Sequence, residues 1–252
     1  MSIQILKPSR IRHLSEPSFV SGFRRGCASI LTSFCLLAPP LLNAQAPPNP
    51  APAVGTSELF FQGYAAYQCF KFLGGDTRAL IYYGGVEYDR HNLGSHLSTL
   101  GHYLNFPGKL VHARMDYSVE FLPLVILSQP ALADKWGDPL TPNQKIVPGM
   151  ALTPLGFRWL WRDGKMIKPL YTIKLGGVVF TQKALAPNAT YANFTINSSV
   201  GLQARLTQRT DLRIGYEFHH FSNDYVNGSN PGLDTLGINF GIVRHFKASS
   251  KW

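Results

Sequence analysis

The sequence predicts an all-β chain closed as an eight-stranded antiparallel transmembrane β-barrel, and three observations carry that prediction. Beyond its N-terminal region the chain alternates apolar and polar residues with period two in eight stretches, each bounded by turn-forming residues. Those stretches run to ten or more residues, whereas a tilted spanning strand needs about 9–11. Their number is even, and eight is the smallest common barrel. No apolar run of helical spanning length follows the N-terminal region. Insertion into lipid would therefore require a closed barrel, because only helices and barrels satisfy their own backbone groups there.

The elements follow in order. Lys7, Arg10, Arg12, Arg24 and Arg25 precede an apolar run from Cys27 to Leu42, broken by Pro39-Pro40 and ending in Asn43-Ala44-Gln45-Ala46. This predicts a signal peptide over 1–44, cleaved after Ala44. Residues 45–56 form a proline-rich leader, and 57–252 the barrel. The signal takes five Lys/Arg and one Glu with it, so 24 basic and 14 acidic residues become 19 and 13, a net of +6. No basic run or basic helix occurs, so nucleic acid is not an expected partner and an anionic membrane surface is. Cys69 alone of the three cysteines remains, which excludes an intramolecular disulfide in the mature chain.

Strands are expected at about 57–67, 78–90, 109–127, 150–162, 168–182, 194–207, 211–222 and 233–246. In the third, Val111, Ala113, Met115, Tyr117, Val119 and Phe121 alternate with His112, Arg114, Asp116, Ser118 and Glu120. The apolar face suits lipid, and the charged one a packed polar lumen together with Lys174. Aromatics crowd strand ends as interface girdles do: Tyr82, Tyr83 and Tyr88, then Phe157, Trp159 and Trp161, then Tyr216, Phe218, Phe240 and Phe246. Tight joins at 162–165 and 208–211 fall on one side and the longer 128–149, 183–193 and 223–232 on the other. Outer-membrane barrels have short periplasmic turns and longer external loops, so only the long 91–108 join is out of pattern.

The chemistry gathers in the last hairpin. Leu212, Ile214, Tyr216, Phe218, His220 and Ser222 share one face of the seventh strand, while Arg213, Gly215, Glu217, His219 and Phe221 share the other. The eighth strand presents Asp234, Leu236, Ile238, Phe240 and Ile242. A histidine, a serine and a carboxylate thus end up on apolar, lipid-directed faces. His220 and Ser222, two residues apart, lie about 6.6 Å from each other along the strand. Nucleophile, base and orienter is the logic of a hydrolytic triad. Asn223 and Asn230 are candidate oxyanion donors. A lone His-x-Ser motif is weak, and interfacial polar residues at a strand end would read the same way; the added carboxylate strengthens the hydrolytic reading.

His220-Phe-Ser222-Asn223 followed by Asn230-Pro-Gly-Leu-Asp234 resembles the signature of the PagL family of outer-membrane lipid A 3-O-deacylases. The likeness extends more loosely to Pro154-Leu-Gly-Phe-Arg-Trp159, Gly176-Gly177 and Asn193-Phe194-Thr195. It implies a serine esterase that removes the ester-linked 3-hydroxyacyl chain at position 3 of lipid A in the outer leaflet. It also implies a triad of Ser222, His220 and Asp234, and oxyanion donors at Asn223 and Asn230. The family's usual third residue is Glu; Asp is shorter by one carbon–carbon bond, roughly 1.5 Å, so Asp234→Glu is expected to retain or raise activity. His219 is out of phase and expected in the lumen. His91, His96 and His102 lack ligand spacing, so neither metal nor other cofactor is expected, and a homodimer is left open.

Two other classes compete. A non-catalytic eight-stranded outer-membrane barrel, an adhesin or envelope structural protein, would share the scaffold. A soluble secreted β-sandwich or barrel would invert the faces, with charge toward water and apolar residues inward.

Overall fold

A computed structural model describes residues 57–75, 77–91 and 112–246. The expected signal peptide and leader, the join from 92 to 111, and with it His96 and His102, lie outside the described residues. Eight strands follow in order: β1 (Ser57–Phe70), β2 (Leu80–His91), β3 (Arg114–Pro130), β4 (Gln144–Leu160), β5 (Ile167–Phe180), β6 (Ala192–Arg205), β7 (Thr210–Ser222) and β8 (Leu233–Phe246). Each pairs antiparallel with its sequence neighbour, and β1 pairs with β8, closing the barrel. Closure leaves no sheet edge, which is what a wall surrounded by lipid requires.

The alternation sorts the faces as the sequence predicts. On β7, Leu212, Ile214 and Tyr216 are exposed, while Arg213, Glu217 and His219 are buried. Phe61, Phe121, Val200, Leu202, Phe240 and Ile242 also lie exposed on the outer wall. A soluble protein would not leave such a belt to water, so the inverted reading fails.

Several details depart from strict alternation. β4 starts at Gln144, not near 150, so the β3–β4 connection shrinks to 131–143. Pro148 reads as a strand breaker, yet here it faces outward. Register shifts between Leu122 and Val125 on β3, and between Leu152 and Leu155 on β4, each insert an extra outward residue. A bulge of this kind reverses the phase of everything after it. Hence Glu120 and Leu122 face inward before the β3 bulge, and Val125 and Leu127 after it. Tyr83, expected in a girdle, lies in the lumen instead, stacked on Tyr64 at 4.8 Å and donating a hydrogen bond to Glu217.

The lumen is filled in two tiers. At the end carrying the β4–β5 and β6–β7 turns, fully buried Arg158 donates to Glu58 (2.8 Å), Asp89 (2.7 Å) and Asp116 (2.6 Å). Arg213 donates to Glu87 (2.5 Å) and Asp89 (2.8 Å), and Lys174 pairs with Glu87 (3.0 Å) and Glu120. These buried charges are tolerated because each of them has opposite partners and hydrogen bonds. At the other end the fill is apolar: Ile81, Leu122, Leu127, Val147, Phe180, Phe221 and Leu233, closed over by Leu185 from the β5–β6 loop. The polar packing expected from sequence therefore holds for one half of the interior only. Because the described interior is packed, function is sought on the wall.

Candidate active site at the β7–β8 edge

The register of β7 against β8 sets His220 directly opposite Asp234. Side chains of an opposed antiparallel pair share a face with Cβ atoms about 4.5–5.5 Å apart, so a carboxylate as short as Asp already reaches the ring. His220 Nδ1 stands 2.7 Å from Asp234 Oδ1. The imidazole backs onto Gly232, where an added Cβ would stand 3.7 Å from Cε1. Although on the outward face, His220 is only 6% exposed.

The second carboxylate oxygen is held from another direction. Asp234 Oδ2 accepts the backbone N–H groups of Phe72, Leu73 and Gly74 at 2.8, 2.6 and 2.7 Å. Three successive amides converging on one oxygen form a concave anion site, and here the anion is a side chain of the protein. The β1–β2 loop gets close enough because Gly74 has no side chain: a Cβ there would lie 2.7 Å from Gly232 C and 2.8 Å from Leu233 N. Gly75 N–H then donates to Pro231 O at 2.6 Å, tying the loop to the β7–β8 hairpin. Gly232, with φ +55°, adopts a backbone state that L side chains rarely take.

Ser222 ends β7 on the same face, two residues beyond His220, half-exposed and opposite Phe194 of β6. Among the described residues no hydrogen bond joins its hydroxyl to His220; such contacts are often long before substrate arrives. Asn230 Oδ1 accepts the backbone N–H of Asn223 at 3.0 Å, which leaves the Asn230 amide nitrogen as an uncommitted donor. Asn223, 2% exposed, gives one Nδ2 hydrogen to Ser229 O at 2.9 Å and accepts Tyr225 N–H at 3.2 Å, so its amide is largely spent on shaping the loop. The structure thus brings His220 and Asp234 into contact, with Ser222 on the same face of β7, while Asn223 and Asn230 are joined to each other in the loop that follows.

His219, the neighbouring residue, points into the lumen, 2% exposed, with its ring centroid 5.9 Å from Tyr83 and 6.1 Å from Tyr64. Outside, the approach to Ser222 is apolar. Phe218 meets Phe70 and Phe72 at centroid distances of 5.8 and 6.3 Å, and Phe72, Leu73 and Phe194 are 72%, 57% and 64% exposed. The amide cradle is the part that the sequence did not disclose. Backbone donors leave no residue signature, and the available signal was Gly74-Gly75 in the first loop.

The family model described as Lipid A 3-O-deacylase (PagL) matches residues 111–243. No curated protein matches the chain. Solved structures that resemble it include the outer membrane enzyme PagL, with 13% identity over 72% of this chain and 97% of that one at a TM-score of 0.47. The outer membrane protein OprG from Pseudomonas aeruginosa aligns at 9% identity over 79% and 99%, TM-score 0.44. Neisserial surface protein A aligns at 10% identity over 76% and 99%, TM-score 0.39.

Proposed function

This chain belongs to the lipid A 3-O-deacylase (PagL) family, and from that membership we infer a serine-esterase mechanism run by Ser222, His220 and Asp234. The protein is a lipid A 3-O-deacylase of the bacterial outer membrane. The finer reading concerns how it acts. Ser222 Oγ attacks the carbonyl of the ester at position 3 of lipid A, and its proton passes to His220 Nε2. Asp234, accepting from Nδ1–H, stabilises the imidazolium. The tetrahedral oxyanion takes a hydrogen bond from the Asn230 amide, with the remaining Asn223 hydrogen as a second candidate. Collapse breaks the ester bond, and His220 returns the proton to the sugar oxygen. Water, deprotonated by His220, then releases the 3-hydroxy fatty acid from Ser222.

The observation that carries this reading is the buried His220–Asp234 contact of 2.7 Å on a face otherwise given to lipid. A polar pair there has a role only if its substrate also lives in the leaflet. The exposed Phe72, Leu73 and Phe194 suit an acyl chain arriving sideways, without a deep pocket. Residues 1–44 would serve as the signal that delivers the chain to the envelope. Mass spectra of lipid A from cells with and without the gene test the function: expression should remove the mass of one 3-hydroxyacyl chain, and Ser222→Ala should leave lipid A intact. A spectrum unchanged by a folded parental barrel would favour the non-catalytic alternative.

A further inference from the structure

Charge is distributed unequally between the two ends of the barrel. At the end with the short β4–β5 and β6–β7 turns, Arg90, Arg162, Lys165, Arg209 and Arg244 are exposed. Among the described residues the carboxylates of that end are turned away from solvent. Glu58, Asp89, Asp116 and Asp211 are buried in the lumen, and Asp163 is half-buried and paired with Arg114 at 2.7 Å. The sequence adds no Asp or Glu between Asp89 and Asp116, nor any after Asp234. The opposite end differs, since Asp138 and Asp224 are exposed there among the cations.

Two of these cations sit on the lipid wall itself. Arg90 is opposite Ser57 on one side of β1, and Arg244 is opposite Leu59 on the other. Ser57 and Leu59 alternate with buried Glu58 and Phe60, so both arginines share the outer face. Their backbones are two strand spacings apart across β1 and offset by two residues along it, about 12 Å in all, which two extended guanidinium side chains can close onto one headgroup. Leu59, opposite Tyr88, and then Phe61, opposite Ile242, come next along the wall. That order, cation and aromatic next to an apolar belt, is the order of a membrane interface. Arg244 Nη1 donates to Thr210 Oγ1 at 2.9 Å, leaving the rest of its fork uncommitted.

We propose that the Arg90–Arg244 face of the periplasmic rim binds the phosphate headgroups of anionic phospholipids in the inner leaflet. Guanidinium groups match phosphate oxygens two at a time, which an isolated ammonium does not. Among the described residues no carboxylate is exposed at that level. The surface lies at the end away from His220 and Ser222 and does not depend on the chemistry there. It rests on the short turns being periplasmic.

The test reconstitutes the Ser222→Ala barrel in phosphatidylcholine vesicles and measures, by electron spin resonance, its association with spin-labelled phosphatidylglycerol relative to spin-labelled phosphatidylcholine. A preference on the order of fivefold is expected, weakening at high salt. Arg90→Gln with Arg244→Gln should bring it close to one, while Arg78→Gln with Lys183→Gln, at the external end, should leave most of it. Heat-modifiable mobility establishes that each variant is a folded barrel. No preference in the parent, or one that survives loss of both arginines, overturns the proposal. Co-sedimentation with peptidoglycan that needs Arg90 and Arg244, without any lipid preference, overturns it in favour of a cell-wall partner.

Discussion

His219 and His220 are adjacent in sequence and face opposite sides of the wall, so one substitution at each separates register from chemistry. His220→Ala should abolish release of the 3-hydroxy fatty acid, and His219→Ala should leave appreciable activity because its ring packs among Tyr64, Tyr83 and Phe221 in the lumen. Release measured on both purified variants decides it; the reverse pattern would mean that the face assignment is wrong. Asp234 calls for a revised expectation. From sequence its short side chain looks like a deficit that Glu would repair. The cross-strand register removes that deficit, since Asp234 already reaches His220 Nδ1 at 2.7 Å while its other oxygen holds three amides. An added methylene cannot keep both sets of contacts without movement. Asp234→Glu should therefore lower turnover, and Asp234→Asn should fall nearly to the level of Ser222→Ala. A rate for Asp234→Glu above the parental one would favour the sequence-based expectation over the geometric one.

At the scale of elements, the β1–β2 loop belongs to the site although it contributes no catalytic side chain. Gly74→Ala places a Cβ 2.7 Å from the backbone of Gly232, so the loop must withdraw and loosen its hold on Asp234. Displacement of this size, about 1 Å, can cost on the order of 10²-fold in rate. Turnover should fall with little change in KM, and the low-field proton resonance of the His220 Nδ1–H bond should shift or broaden. Parental turnover in Gly74→Ala would detach the loop from catalysis. The strands themselves were readable because period-two alternation is strong on β6 and β7. The bulges of β3 and β4 were not, since two consecutive outward residues such as Pro123 and Leu124 look like any apolar pair. Tyr83 lies in the lumen for a related reason hidden from the sequence: an aromatic near a strand end suits a girdle and a lumen equally until the phase is known.

For the whole molecule, the outer wall and the lumen make opposite demands on the same substitution. Arg at Ile214 or Val200, 48% and 59% exposed on the lipid face, should cost about 2–4 kcal/mol where it falls near the bilayer midplane. Folding titrations into vesicles measure this, and equal tolerance at an exposed loop position would contradict the assignment. Arg158 poses the inverse case. Replacing it with Met leaves Glu58, Asp89 and Asp116 without their shared partner in a buried tier, a loss of about 3–5 kcal/mol when one side of a buried ion pair is removed. The sequence identified lipid-facing and lumen-facing sets because the pleat dictates them. It did not reveal that the lumen divides into a charged half and an apolar half, because that depends on which strands meet at each level.

The central claim is that Ser222 is the nucleophile on the outer wall. A lipid-tailed phosphonate ester, which phosphonylates an activated serine and stays attached, tests it most directly. After incubation of the folded barrel, peptide mass spectrometry should locate the adduct on Ser222, with labelling lost in His220→Ala and strongly slowed in Asp234→Asn. An adduct on another residue, or lipid A deacylation at the parental rate by Ser222→Ala, would contradict the account.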